Sequence, residues 1–260
     1  KNFDAVSVST PDHSHAIQAI AAMQLGKHMY VQKPISHDIY EARMLTEVAV
    51  KNKLVTQMGN QGSSGDGVRK LMEWYNAGII GEVTEVYVWT DRPVWPQGVP
   101  WPVAKATVPA GLDWDLWLGT APAKDYLENI APFNWRGWWD YGTGALGDMG
   151  CHLIEPPFRV LGLGYPTEAT CSVSSVYTGP FNRAYYPDSP PASSSVTLKF
   201  IDKKTGKPLL LHWMDGGIQP DRPDELGANE QMGDGGNGVI FIGSKGKMMC
   251  DTYGENPRLL

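Results

Sequence analysis

The first sixty residues alternate between short apolar runs and amphipathic stretches, and this alternation restricts the possible fold more than any other feature. Residues 5–10, 28–32 and 54–58 are apolar or β-branched and predict strands. Residues 15–25 and 39–52 place apolar side chains at helical spacing and predict helices. Strands that alternate with helices through short connections are typical of parallel βαβ units. The N-terminal part of the chain is therefore predicted to be α/β.

The start of this α/β region lacks one expected feature. A complete doubly wound sheet carries a glycine-rich phosphate-binding loop after its first strand. The first predicted strand of this chain leads instead into Pro11 and Asp12. Each βα unit takes ~30 residues, so we expect on the order of a hundred further residues upstream in a complete fold. We interpret this region as the C-terminal part of a Rossmann-type domain.

The pattern changes after Gly81, where strands become the main elements, and the strands after residue 161 follow one another without helices between them. Predicted strands are 83–89, 168–177, 193–200, 208–214 and 239–251, with a hairpin turn at 203–206 and a helix at 147–161. Consecutive strands without crossover helices favour antiparallel pairing. The predicted fold is a partial α/β Rossmann-type domain at residues 1–78, then an α+β domain at residues 79–260 with an open, mainly antiparallel sheet.

Composition and charge exclude several classes of protein. The formal net charge of −6 argues against a general nucleic-acid binder, which needs a basic face to neutralise phosphates. No apolar run is long enough to predict a span of a membrane. The three cysteines are widely spaced and odd in number, which excludes a fully paired disulfide framework. Odd cysteines fit the cytoplasm, but a bacterial periplasmic location stays open.

Polar residues follow the predicted parallel strands, at the sheet edge where open α/β sheets bind ligands. The residues that we expect to contact a cofactor there are Thr10, Pro11, His15, Gln32, Lys33, Asn60 and Gln61. A partly buried lysine beside a cationic nicotinamide has its charged form disfavoured, which suits acid–base chemistry near neutral pH. Lys33 is therefore a candidate catalytic residue. The alternative is a solvated lysine before a turn proline.

Asp148 and His152 lie four residues apart in a predicted helix and therefore share one of its faces. A carboxylate that orients an imidazole suits a proton relay, because the pKa of histidine lies near neutral pH. The alternative is an acidic residue at a helix start beside a structural histidine. No third ligand lies at a typical spacing from this pair, so the sequence predicts no metal site.

Tryptophan is concentrated in one segment, since residues 89–139 hold most of the ten tryptophans of the chain. An indole ring offers an apolar face to the C–H side of a sugar ring, and charged side chains bind its hydroxyls. We choose Arg92, Trp135, Arg136 and Tyr141 as candidate substrate contacts, the last three because they directly precede Asp148 and its helix. The alternative for these aromatic residues is a core beneath a long loop or a subunit interface.

Two of these motifs together resemble the Gfo/Idh/MocA family, named for glucose–fructose oxidoreductase and inositol dehydrogenase. The sequence STPDHSH at residues 9–15 is similar to the family's Ser-Thr-Pro-x-x-x-His, and GKHMYVQKP at residues 26–34 is similar to its Gly-Lys-His followed by Glu-Lys-Pro. The resemblance implies that Lys33 is the catalytic lysine and that Asp148 and His152 meet the substrate hydroxyl. Gln32 replaces the family's glutamate, which removes a carboxylate that would tune or orient the lysine.

The resemblance covers nearly the whole chain and implies an NAD(P)-dependent oxidoreductase that transfers hydride to or from a sugar or polyol carbon. Either NAD or NADP is expected as the cofactor. A homodimer or homotetramer is expected through the sheet domain. Two alternatives stay open. One is a redox-assisted glycosidase or lyase, in which transient oxidation permits elimination, and the other is a non-catalytic carbohydrate-binding homologue.

Overall fold

The computed structural model describes residues 2–260, and the chain divides into two compact units. The first unit consists of Lys1–Asn60, Trp95–Asp148 and Tyr185–Pro190. The second unit consists of Gln61–Val94, Met149–Ala184 and Pro191–Leu260. The predicted domain boundary at residue 78 stays a prediction. Within residues 2–260, every helix is too short or too polar to cross a lipid bilayer.

The elements alternate as predicted at first and then become mainly strands. In chain order they are β1 (Ala5–Val8), α1 (Asp12–Gln24), β2 (His28–Gln32), α2 (Ile39–Lys51), β3 (Thr56–Gly59), α3 (Asp66–Asn76), β4 (Val83–Trp89), α4 (Trp114–Leu118), α5 (Gly144–Leu153), α6 (Glu155–Leu161), β5 (Glu168–Val173), β6 (Tyr177–Gly179), β7 (Asn182–Arg183), β8 (Ser194–Ile201), β9 (Pro208–Met214), β10 (Gly238–Gly243), β11 (Lys247–Cys250) and β12 (Arg258–Leu259).

The first unit contains a three-stranded parallel sheet in the order β1-β2-β3. Two helix ends in this unit follow from local chemistry. Asp38 is the N-cap of α2, and its side chain accepts a hydrogen bond from the Glu41 backbone N at 2.8 Å. Gly26, just after α1, adopts a φ of +74°, which a residue without a side chain tolerates. These signals set the short connections that parallel βαβ units require.

Helices α1 and α2 cover one face of this sheet. The buried residues of that core are Val8, Ala16, Ala19, Met23, Met29, Val31, Leu45 and Val48. The strand residues of the opposite face, which alternate with them, include Ser7, His28 and Tyr30, and these are exposed. The sheet is therefore covered by helices of its own βαβ units on one side only.

Residues 95–148 add an aromatic cluster to the first unit. Its buried members are Leu118, Leu127, Ile130, Trp135, Trp138 and Tyr141. Gly137 lies where the chain passes very close to another segment, because a Cβ added there would stand 1.7 Å from the Pro96 carbonyl oxygen. Only glycine permits this approach. The tryptophan-rich segment is thus an ordered, packed structure that leads into α5.

The second unit is built on a seven-stranded sheet in the order β12-β11-β10-β4-β9-β8-β5. The β4–β9 pair is parallel, and the other neighbours are antiparallel, which confirms the prediction of a mainly antiparallel sheet. Alternate residues such as Val86, Leu211 and Trp213 are fully buried in a core that also contains Leu71 from α3 and Val160 from α6. The hairpin predicted at residues 203–206 connects β8 to β9.

Two predicted elements are divided in the structure. The helix predicted at 147–161 begins earlier, at Gly144, and separates into α5 and α6 at Ile154. Pro156 and Pro157 follow in the first turn of α6, where their missing N–H groups are tolerated, but they cannot continue α5. The strand predicted at 239–251 is the hairpin β10–β11, because the Gly243 N donates to the Gly246 carbonyl at 3.0 Å and turns the chain.

Candidate active site

Lys33 and Asp148 form an ion pair within the first unit, although they lie 115 residues apart in the sequence. The Lys33 Nζ donates to Asp148 Oδ1 at 2.8 Å and to the Asp148 backbone carbonyl at 2.9 Å. The two side chains are only 17% and 11% exposed. The structure therefore brings together the two predicted catalytic residues of this unit, one after β2 and the other on α5.

Arg136 supplies a second cation to the same carboxylate. Its Nε lies 3.3 Å from Asp148 Oδ1, and its guanidinium carbon lies 4.3 Å from the centre of the Trp135 ring. The aromatic contact fixes the arginine from one side while the carboxylate binds it from another. Asp148 is thus held between Lys33 and Arg136, which keeps a net positive charge at this point.

Asp12 is a further acidic residue beside this group, and the sequence reasoning missed it. It is 3% exposed, lies in the first turn of α1 and accepts a hydrogen bond from the Thr143 hydroxyl at 2.9 Å. Burial raises the pKa of Asp12 to about 7. The Thr143 hydrogen bond and the cations Lys33 and Arg136 oppose that rise, whereas the Asp148 charge adds to it. Asp12 therefore exchanges its proton near neutral pH.

Position alone gave a signal for Asp12, because it directly follows the Pro11 turn at the end of β1. Residues there belong to the ligand-binding edge of an open α/β sheet. Its neighbour His13 is also buried, and burial lowers the pKa of that imidazole. The His13 Nε2 lies 3.1 Å from the Trp117 carbonyl oxygen and donates to it. The two consecutive titratable residues that start α1 thus have pKa values shifted in opposite directions.

His15 joins the ends of the first two strands. Its Nδ1 lies 2.6 Å from the Pro34 carbonyl oxygen and its Nε2 lies 2.6 Å from the Thr10 carbonyl oxygen. Each ring nitrogen thus faces a backbone carbonyl oxygen beside a different strand end. The imidazole therefore holds the two predicted cofactor-contact segments at a fixed separation.

The remaining predicted cofactor contacts lie at the same strand ends. The Thr10 hydroxyl oxygen is buried and lacks a hydrogen-bond partner within residues 2–260. Gln32 ends β2, and its side-chain oxygen accepts from the Lys33 backbone N at 3.3 Å. Asn60 follows β3 in the first unit, and Gln61 is an exposed residue of the second unit.

The predicted substrate contacts differ in exposure. Trp135 and Tyr141 are buried in the aromatic cluster of the first unit, and the Trp135 indole N–H donates to the Pro132 carbonyl at 3.0 Å. Arg136 is a quarter exposed on its side chain. Arg92 lies in the second unit, where its guanidinium pairs with the Asp91 carboxylate. Arg136 is the member of this set that the structure connects to Asp148.

His152 lies one helical turn after Asp148 on α5, as the spacing predicts. It belongs to the second unit, is buried, and makes an edge contact with the Tyr253 ring at 4.8 Å between ring centres. Within residues 2–260, three or more histidine, cysteine or acidic side chains do not come together in an arrangement that holds a metal ion.

Two family models match the chain. Residues 1–60 match the model described as "Oxidoreductase family, NAD-binding Rossmann fold", and residues 71–174 match the one described as "Oxidoreductase family, C-terminal alpha/beta domain". Among curated proteins, an uncharacterized oxidoreductase of Streptococcus pneumoniae is 31% identical over 97 residues, which is 37% of this chain and 26% of that protein. A levoglucosan dehydrogenase of Pseudarthrobacter phenanthrenivorans is 24% identical over 150 residues, which is 58% of this chain and 31% of that protein.

Solved structures share the fold at low sequence identity. An NAD-binding oxidoreductase from Klebsiella pneumoniae has a TM-score of 0.60 and 19% identity, with 95% of this chain and 54% of that one covered. An inositol dehydrogenase homologue from Azotobacter vinelandii, complexed with NADH and myo-inositol, has a TM-score of 0.56 and 18% identity. In that case 99% of this chain and 56% of the other are covered. The chain thus spans little more than half the length of these structures and about a third or less of the curated relatives.

Proposed function

Because the chain belongs to the Gfo/Idh/MocA oxidoreductase family and its first residues match that family's NAD-binding Rossmann domain, we propose that it takes part in reversible hydride transfer between NAD or NADP and a sugar or polyol. The family and the predicted fold class are confirmed by these matches. The contact between Lys33 and Asp148 is the observation that carries the proposal. A levoglucosan dehydrogenase and a homologue that binds myo-inositol, among the proteins similar to this chain, support polyhydroxylated substrates.

The geometry of Lys33 suits a group that meets a substrate hydroxyl. An ammonium group has three donors, and Asp148 accepts two of them through its carbonyl and its carboxylate. The third donor is directed elsewhere and supports binding of the hydroxyl oxygen that becomes a carbonyl. Lys33, once it has released a proton and is a neutral amine, or His152 takes the hydroxyl proton, and Asp148 orients this acid–base group. Arg92, Trp135, Arg136 and Tyr141 are proposed to contact the rest of the substrate.

The cofactor would lie at the carboxyl ends of β1, β2 and β3. The residues proposed to hold its nicotinamide end are Thr10, Pro11, His15, Gln32, Lys33, Asn60 and Gln61. The nicotinamide, when bound, accepts or supplies the hydride. The position of Thr10 and Gln32 at the carboxyl ends of neighbouring parallel strands supports this placement. His15 preorganises the site by joining the backbone beside Thr10 to that of Pro34.

Calorimetry with NAD and NADP tests the cofactor part of the proposal. We would titrate this chain and a chain extended upstream to the length of the solved relatives. Binding by either one supports the proposal and decides between the two cofactors. Absence of binding to both would refute it.

Turnover with a panel of sugars and polyols tests the catalytic part, in the extended chain. Lys33→Ala is expected to lower kcat by about a hundredfold or more, because it removes the proposed acid–base group. Lys51→Ala, in the last turn of α2, is the matched control and is expected to keep full turnover. Turnover of the Lys33 variant equal to that of the control would show that the lysine has no part in the chemistry.

We also propose that the sheet of the second unit binds a second copy of the chain. Strand β5 at its edge is exposed at all six residues, and Thr197, Tyr87 and His212 form a polar cluster on the face opposite α3 and α6. Sedimentation velocity should report a dimer or tetramer, and Thr197→Arg should convert it to a monomer. A monomeric unaltered protein would overturn this part.

A further inference from the structure

A cleft in the first unit is lined by residues other than those of the candidate active site, and its Trp101 and Trp114 rings contact the candidate substrate residue Tyr141 at 6.2 Å and 6.4 Å between ring centres. Its volume is about 770 Å³, within the range of roughly 300–1,000 Å³ typical of small-molecule sites. Its walls come from residues 101–105, from α4 and from residues 123–127, with Asp188 at one side. None of these segments contains Lys33, Asp148, Asp12 or Arg136. The cleft is thus a second concave site whose role the proposed hydride transfer leaves open.

Two half-buried tryptophans are held rigidly in the wall of this cleft. Trp114 stacks on Trp117 at 4.7 Å between ring centres, and its indole N–H donates to the Lys124 carbonyl at 2.8 Å. Trp101 makes an edge contact with Trp138 at 4.8 Å. Both rings also line the cleft, so part of each remains open to a ligand. Fixed aromatic surfaces bind the C–H face of a ring with little loss of side-chain entropy.

Charged side chains stand around these rings in a mixed arrangement. The Lys124 Nζ lies 4.0 Å from the centre of the Trp101 ring and 3.6 Å from Asp188 Oδ1, and it also pairs with Asp140. Lys105 and Asp125, which also line the cleft, form a further ion pair. These pairs are already assembled, so their carboxylates and ammonium groups are available to hydrogen-bond a ligand without large rearrangement.

The balance of charge restricts the chemistry of the ligand. The lining contains two lysines, Lys105 and Lys124, and three aspartates, Asp115, Asp125 and Asp188. An anion would meet a surplus of carboxylates, and a purely apolar ligand would remove these charges from water without replacing their hydrogen bonds. A neutral molecule with many hydroxyl groups and an apolar ring face satisfies both the charges and the tryptophans.

We propose that this cleft is an accessory binding site for a neutral carbohydrate of one or two sugar rings. The ring packs against Trp101 and Trp114, while Asp125, Asp188 and Lys124 hydrogen-bond its hydroxyls. The site is separate from Lys33 and does not depend on hydride transfer. It would hold a distal sugar of a longer substrate or a free sugar.

The test is sugar binding to the chain as it is, without a cofactor. The probes are cellobiose, maltose, D-glucose and myo-inositol, titrated to about 50 mM and followed by calorimetry and tryptophan fluorescence, a range that detects millimolar affinity. At least one probe is expected to bind. Trp101→Ala is expected to weaken that binding by tenfold or more.

Two further variants keep the test independent of folding defects. Asp125→Ala alters an exposed carboxylate and is expected to weaken binding several-fold while circular dichroism stays unchanged. Trp139→Ala removes a 46% exposed tryptophan of the same unit that does not line the cleft, and it is expected to bind as the unaltered chain does.

The outcomes separate this proposal from the proposed function. Binding that Lys33→Ala leaves intact and Trp101→Ala weakens supports the accessory site. Binding that is lost in Lys33→Ala and kept in Trp101→Ala assigns the sugar to the candidate active site, which overturns the accessory site and leaves the proposed function standing. A lack of binding by every probe also overturns the accessory site.

Discussion

Asp12 is expected to make the folded chain less stable as the pH rises, and Asp12→Asn is the substitution that exposes this effect. In the unaltered chain the Thr143 hydroxyl donates to the Asp12 carboxylate at 2.9 Å. The side-chain oxygen of an asparagine can accept the same hydrogen bond. The asparagine cannot ionise. The substitution therefore removes the charge while it preserves the size of the side chain and its observed hydrogen bond.

The magnitude follows from the two pKa values. The ordinary value of 3.8 applies to the unfolded chain, and burial raises the folded value to about 7. Below pH 3.8 the Asp12 carboxyl is protonated in both the folded and the unfolded chain, so its ionisation does not change the free energy of unfolding. Between these values the folded state binds more protons than the unfolded state, so the free energy of unfolding falls as the pH increases. The difference of about three units between the two pKa values corresponds to roughly 4 kcal/mol of free energy of unfolding. The folded chain has lost this stability by about pH 7.5.

Urea denaturation of both proteins at intervals from pH 4 to pH 8 measures this loss. Seven of the ten tryptophans lie in the first unit with Asp12, so their fluorescence follows the unfolding of that unit. The free energy of unfolding of Asp12→Asn minus that of the unaltered chain should rise by roughly 4 kcal/mol across this range. Asp4→Asn, at an exposed position, is the control and should show no such rise. Parallel pH profiles for Asp12→Asn and the unaltered chain would refute the reasoning.

Three further predictions concern other parts of the structure. Gly137→Ala should destabilise the first unit by more than about 3 kcal/mol in urea denaturation, because the new Cβ would stand 1.7 Å from the Pro96 carbonyl oxygen; wild-type stability would contradict this. Asp215→Ala should cost about 3 kcal/mol, because the carboxylate accepts from three donors of β8 and β9 in a buried position; a loss below about 1 kcal/mol would contradict it. In the folded chain Cys171, which is exposed, should react with a thiol reagent much faster than Cys250, since burial raises the pKa of the Cys250 thiol; equal rates in the native state would argue against this packing.

Much of the fold could be predicted because its signals are local. The parallel strands and helices up to β3 follow from apolar periodicity and from turn residues such as Gly26. Strands β8 and β9 follow in the same way, with the hairpin at 203–206 between them. The division of the helix at Ile154 also has a local cause, because Pro156 and Pro157 follow it and cannot continue α5.

The candidate site could be predicted only in part, because its contacts are distant in sequence. The residue types identified Lys33 and Asp148, yet their ion pair spans 115 positions, and the family resemblance rather than spacing brought them together. The perturbed carboxyl of Asp12 arises from burial and from Thr143, which lies 131 positions away. Periodicity contains no information on such contacts.

Among the described residues, the β1-β2-β3 sheet has one bare face and an open edge at β1. Parallel sheets are normally covered on both faces, yet Ser7, His28 and Tyr30 are exposed here, and among residues 2–260 the backbone of β1 pairs only with β2. A separately expressed βαβ fragment could add its strand to that edge and lay its helix over that face.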